Sequence, residues 1–125
     1  MKKIVLCSLL FAATAVLFAL STFSRPHSTI PIDAENLAWR DRIQKWGGES
    51  AYAELAKELK DSNIDVQHTK SHAFGGGLYL AKGIEGIAIC DERFAQGCLH
   101  EFVSRVIDAQ GLAIIPTLMQ KCFSA

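Results

Sequence analysis

Val66-Gln67-His68-Thr69-Lys70-Ser71-His72-Ala73-Phe74-Gly75-Gly76-Gly77-Leu78-Tyr79-Leu80-Ala81 is the stretch whose reading decides the fold. At about 100° per residue, His68, His72, Gly75 and Tyr79 fall within about 60° of one another on a helix. Val66, Ala73 and Leu80 lie to one side of that stripe, and Phe74, Leu78 and Ala81 to the other. A polar stripe with apolar flanks on both sides predicts a helix that turns its histidines inward. Three consecutive glycines cost about 1 kcal/mol each in a helix interior relative to alanine. They are tolerated where another backbone packs close. Alternatively the helix ends near Phe74, and both histidines keep one face either way.

Helical patterns extend on both sides. Asp33 is a plausible N-cap for a helix through about Trp46, with Leu37, Ile43 and Trp46 approximating one face and Gly47-Gly48 as its stop. A second helix starts at Glu49 or Ser50 and runs to about Lys60, with Tyr52, Leu55, Ala56 and Leu59 at three-and-four spacing. Asp61-Ser62-Asn63 breaks it. Beyond the central stretch, the glycine-punctuated link from Gly83 to Ile89 leads to Asp91, a good N-cap for a fourth helix ending at Gly111. Pro116 suits the first turn of a short last helix to about Phe123. No alternating strand pattern longer than four residues appears. The expectation is an all-α fold, a small bundle of about five helices over residues 33–125.

The N-terminus predicts where that bundle sits. Lys2 and Lys3 precede an apolar run from Ile4 to Leu20, or to Phe23 with Ser21 and Thr22 counted. At about 1.5 Å per residue the run spans roughly 26–30 Å, enough for a bilayer's hydrocarbon core. Residues 1–23 read as a signal-anchor that holds the protein to the membrane through residues 4–23. The flanking lysines keep the N-terminus in the cytoplasm. The rival reading is a cleaved signal peptide, with Ala19-Leu20-Ser21 as a passable site. Residues 24–32, with Pro26 and Pro31, form a juxtamembrane linker. The expected location is the cytoplasmic (inner) membrane, single-pass, with the domain on the extracytoplasmic side; cleavage would make it secreted or periplasmic.

Without Lys2, Lys3 and Arg25, ten basic residues face thirteen acidic ones, so the exported part carries about −3 charge. No basic patch suggests a nucleic-acid partner. A domain of this size has a marginal core and gains from a disulfide or a metal.

Candidates for both lie close together. His68 and His72, four apart on one helical face, could chelate one zinc ion. Thr69 stands where a zinc metalloprotease helix needs glutamate, which excludes that class. The second cluster is Cys90-Asp91-Glu92-Arg93-Phe94-Ala95-Gln96-Gly97-Cys98-Leu99-His100-Glu101. Gln96 occupies the place of the first cysteine in a Cys-x-x-Cys-His motif, so covalent haem attachment is excluded. His100 lies beside Gly97, where a neighbouring helix could approach. Glu101 reads most simply as a solvated acid, with ligand or base as its alternative role.

Cys90, Cys98 and Cys122 are the thiols of the exported part, an odd number that allows one intramolecular bridge. The preferred pair is Cys98 with Cys122, which ties the last helix to the fourth. Cys90–Cys98 would need Cys90 to fold back over the first two turns of that helix.

His68-x3-His72-x2-Gly75-x3-Tyr79, followed by Cys90-x3-Phe94-x2-Gly97-Cys98-x-His100-Glu101, resembles a group of uncharacterised bacterial membrane-anchored helical domains. The resemblance covers about residues 50–122 and implies that the histidines work together, but supplies no activity. It also implies a cysteine directly before the first histidine, where this chain has Gln67.

Two functional expectations follow. One is an envelope interaction module, stabilised by a disulfide, that binds another envelope protein without chemistry. The other is a zinc-like site built from His68, His72 and His100, with a thiol or water as fourth ligand and Cys90, Tyr79 and Glu101 as additional candidates. With water in the fourth position, metal-dependent hydrolysis becomes available. No nucleophile–base constellation or phosphate-cradling loop favours an enzyme. His68, His72 and His100 are expected to converge, with Gly75 and Gly97 as the small residues that let two helices meet.

Overall fold

The computed structural model describes residues 32–123, so the expected membrane segment and nearly all of the linker lie outside the described residues. Those described form five α-helices and no strand: α1 (Ala34–Trp46), α2 (Gly48–Leu59), α3 (Ile64–Lys82), α4 (Gly97–Gln110) and α5 (Ile115–Phe123). Short 3-10 segments at Gly83–Ile89, Phe94–Gln96 and Leu112–Ile114 join the later helices. The all-α expectation holds. Among the described residues no single helix is long and apolar enough to cross a membrane.

Local chemistry sets the helix starts. The Asp33 carboxylate accepts the Asn36 amide at 2.8 Å, while the Asn36 side chain accepts the Asp33 amide at 3.3 Å. This reciprocal cap satisfies two otherwise orphaned donors of α1. Asn63 caps α3 in the same sense, accepting from Val66 N at 3.0 Å. Gly111, at φ +75°, takes the left-handed backbone that ends α4.

α3 is the central helix, and its glycines explain why. A side chain at Gly75 would run into the backbone of Cys98 on α4, and one at Gly76 into the Asn36 side chain on α1. One at Gly77 would lie 2.7 Å from Asn36 O and 2.9 Å from Arg40 N. Two helices therefore press on α3 backbone-to-backbone from different sides, and the helix runs unbroken through the glycines. Phe74, Leu78, Phe102, Val106, Ile43 and Leu55 are fully buried around it. Trp39 and Tyr52 each bring a ring centroid to 5.2 Å from that of Phe74, in the range of favourable aromatic pairs.

Two sequence expectations need correction. α1 does not bury Leu37 and Trp46, which are 38 % and 45 % exposed; it docks through Asn36, Trp39 and Ile43. A buried asparagine in the docking stripe masks the apolar period. The fourth helix starts at Gly97 rather than just after Asp91. Asp91 instead holds a tight turn, accepting Arg93 N at 2.9 Å and the Tyr52 hydroxyl at 2.7 Å.

Candidate metal centre

His68 and His72 project from successive turns of α3, and His100 comes from the first turn of α4. One ring nitrogen from each lies within 4.8 Å of the others. Ring centroids are 4.5 Å apart for His68–His72, 5.5 Å for His68–His100 and 6.0 Å for His72–His100. The missing Cβ of Gly97 makes this approach feasible. A methyl group there would meet Ser71 Oγ, stand 2.6 Å from His68 O and 3.1 Å from His72 Cδ2. The two glycine-lined surfaces thus meet as the spacing predicts, and the three imidazoles gather beside the contact.

The rings of α3 are held from behind. His68 Nδ1 lies 3.1 Å from the Phe94 carbonyl oxygen. A carbonyl only accepts, so Nδ1 carries the proton and the Nε2 lone pair is free. His72 Nδ1 faces the Glu101 carboxylate at 3.5 Å. Its Nε2 stands 3.0 Å from His68 Nε2. Neutral His72 therefore has one ring proton and two acceptors that call for it, Glu101 on one edge and His68 on the other. Protonating both nitrogens would satisfy both. However, burial, followed by the neighbouring His68, lowers the His72 pKa below its ordinary value despite the pull of Glu101. His68 and His72 would hold a divalent cation through their Nε2 lone pairs, which would resolve the conflict by leaving the His72 proton at Nδ1, facing the carboxylate. Zinc–nitrogen bonds of about 2.0–2.1 Å put tetrahedral ligand atoms about 3.3 Å apart, close to the separation of these two nitrogens. The α3 pair fits the ion, and a His100 ring nitrogen lies within 4.8 Å to complete the donor set.

Glu101 is not the solvated acid that its sequence neighbourhood suggests. Its side chain is only 16 % exposed and receives Arg105 Nε at 2.7 Å. Arg105, itself buried, donates through Nη2 to Asn36 Oδ1 at 2.9 Å, and Asn36 Nδ2 donates to Ala73 O at 3.0 Å. A polar chain thus runs from α1 through Arg105 and Glu101 to His72. A metal-ligating histidine is commonly oriented by such a carboxylate, which fixes its tautomer and raises its basicity. Glu101 backs a ligand; the geometry does not make it one.

The Phe94 carbonyl reaches His68 because the chain ahead of α4 turns the wrong way. Phe94, Ala95 and Gln96 have φ of 57°, 49° and 61°. Non-glycine residues pay about 1–2 kcal/mol each in this left-handed region. The turn is bracketed by a disulfide between Cys90 and Cys98, eight residues apart. This corrects the expected Cys98–Cys122 bridge. Cys122 is an exposed free thiol on α5. Because α4 starts only at Gly97, the two helical turns that stood between Cys90 and Cys98 do not exist, and the left-handed turn brings them together. Closing so short a loop contributes about 2.5 kcal/mol in the chain-entropy model.

Tyr79, a candidate from the stripe, is not brought to the histidines; its ring packs edge-on against Phe102 with centroids 5.9 Å apart. Gln67 donates from one amide nitrogen to Leu59 O and Ser62 O, each at 3.0 Å, and so fastens the α2–α3 turn. Sequence reasoning missed Arg105 and Asn36. The four-residue step from Glu101 to Arg105 is the one signal that could have found Arg105.

No family model, no curated protein and no solved structure matches the chain.

Proposed function

We propose that this domain binds a transition-metal ion of the zinc class through His68, His72 and His100, and that it does so on the extracytoplasmic side of the membrane. The observation that supports it most is the pair of His68 and His72 Nε2 atoms at 3.0 Å, each ring tied at its Nδ1 edge. Imidazole suits zinc, copper and nickel, and three imidazoles with a fourth position match tetrahedral zinc. An ion bound this way would supply a Lewis-acidic centre with a coordination position open to water or to a donor from a partner. His68 and His72 are half-buried and anchored, whereas His100 is exposed and its ring nitrogens make no hydrogen bond among the described residues. His100 is thus the ligand that moves to admit or release the ion.

Zinc titration of the full-length protein against a competing chromogenic chelator tests this. One ion per chain is expected. His68→Ala and His72→Ala should abolish binding, and His100→Ala should retain weakened binding with faster release. Wild-type affinity no greater than that of the His68→Ala/His72→Ala double variant would overturn the proposal.

A further inference from the structure

We infer that the Cys90–Cys98 disulfide is a redox control on this metal site: the oxidised chain assembles the site and a dithiol reductant takes it apart. This rests on reading the three histidines as ligands. Cys90 and Cys98 bracket the left-handed run Phe94–Gln96. That run delivers one support of the site, the Phe94 carbonyl at 3.1 Å from His68 Nδ1. Cys98 also lies in the first turn of α4, two residues before His100, and its backbone is the surface on which Gly75 rests. One covalent link therefore fixes three things: the His68 tautomer, the α3–α4 contact, and the position from which His100 reaches the cluster.

Three successive non-glycine residues do not stay left-handed unless something holds them. The hold includes the bridge, the Phe94–His68 hydrogen bond, the Gln96 N to Arg93 O bond at 3.1 Å within the turn, and the Phe94 ring against Tyr52 and the Arg93 guanidinium, of which the bridge is the one covalent link. Without the bridge, the turn relaxes toward right-handed backbone and withdraws the carbonyl from His68.

In the reaction, a dithiol attacks Cys90, the less deeply buried of the pair. The Cys90–Cys98 sulfur–sulfur bond breaks, two electrons and two protons pass to the two cysteines as thiols, and the reductant leaves as its own disulfide.

Zinc affinity is compared between the oxidised full-length protein and its Cys90→Ala/Cys98→Ala variant, with circular dichroism to check the fold. Nitrogen-15 NMR of the metal-free histidine rings reads the His68 tautomer, which a merely structural bridge would leave alone. Expected are a retained helical spectrum, an affinity loss of about tenfold or more, and a His68 ring that no longer holds a single Nδ1-protonated tautomer. Unchanged affinity with an unchanged tautomer overturns the inference and leaves the metal reading standing. If the oxidised wild type binds no zinc, the metal reading falls and this control falls with it. If the double variant loses its helical spectrum, the His68 tautomer is followed in Ala95→Gly/Gln96→Gly protein before and after phosphine reduction. Glycine takes the left-handed backbone without steric cost at two of the three positions, so the turn has less cause to relax and reduction should shift that tautomer less than in wild type. An equal shift overturns the inference.

Discussion

Gly75 of α3 rests against the backbone carbonyl of Cys98 on α4, so closely that a methyl group at residue 75 would overlap the oxygen. The contact sets the depth at which the two histidine-bearing helices meet. In Gly75→Ala protein, the gain in helix propensity of about 1 kcal/mol is outweighed by overpacking against backbone. We expect a net loss of about 1–3 kcal/mol in denaturant unfolding. The neighbour is main chain and cannot rotate away. A variant as stable as wild type would show that the helices stand further apart.

Glu101 orients His72 through a charge at 3.5 Å and is itself gripped by Arg105. Glu101→Gln keeps an acceptor for Arg105 but removes the negative charge facing His72. Zinc affinity should fall by about tenfold, the lower end of the effect of such supporting groups, while the helical spectrum persists. Unaltered affinity would mean that the carboxylate serves Arg105 alone.

Tyr52 gives a pH prediction away from the metal. Burial, and then the hydrogen bond donated to Asp91, raise its pKa to about 12. An unfolded chain releases that proton near pH 10. Between those values the folded state binds more protons than the unfolded state. The stabilisation is therefore complete below about pH 10 and is lost as pH rises through about 12. Of the two tyrosines, one should ionise only in that upper range when followed by phenolate absorbance, and Tyr52→Phe should remove that transition. Asp91 behaves in the opposite sense. Burial alone would raise its pKa, but the bonds from Tyr52 and Arg93 prevail and lower it. Its contribution is present above the ordinary carboxylate range and fades as pH falls.

Much of the bundle was legible because its signals are local. Asp33 caps a helix, Asp61-Ser62-Asn63 breaks one, Gly111 ends one, and the His68–His72 step places two rings on one face without any tertiary knowledge. The convergence of His100 was legible too, because Gly75 and Gly97 mark the only kind of surface on which two backbones meet so closely. What stayed hidden depends on non-local backbone geometry. Phe94, Ala95 and Gln96 carry no glycine to announce a left-handed turn, so the stretch reads as helix and the bridge is assigned to the wrong partner. Asn36 and Arg105 hid for a different reason: a polar residue inside an apolar stripe looks like solvent exposure until its partner is known.

The glycine triplet of α3 has a consequence for how the protein comes into being. About 3 kcal/mol of intrinsic preference is missing from the middle of that helix relative to alanine, and most helices in proteins owe their stability to tertiary packing rather than to propensity. A peptide of residues 64–82 should therefore be largely unstructured by circular dichroism. The central helix is made by its neighbours: α1 must close over Gly76 and Gly77 and α4 over Gly75 before the backbone between them is worth winding. Small single domains usually fold in one cooperative step; on that pattern the three imidazoles gather only as α1 and α4 close on α3, and an incomplete chain offers an ion no site.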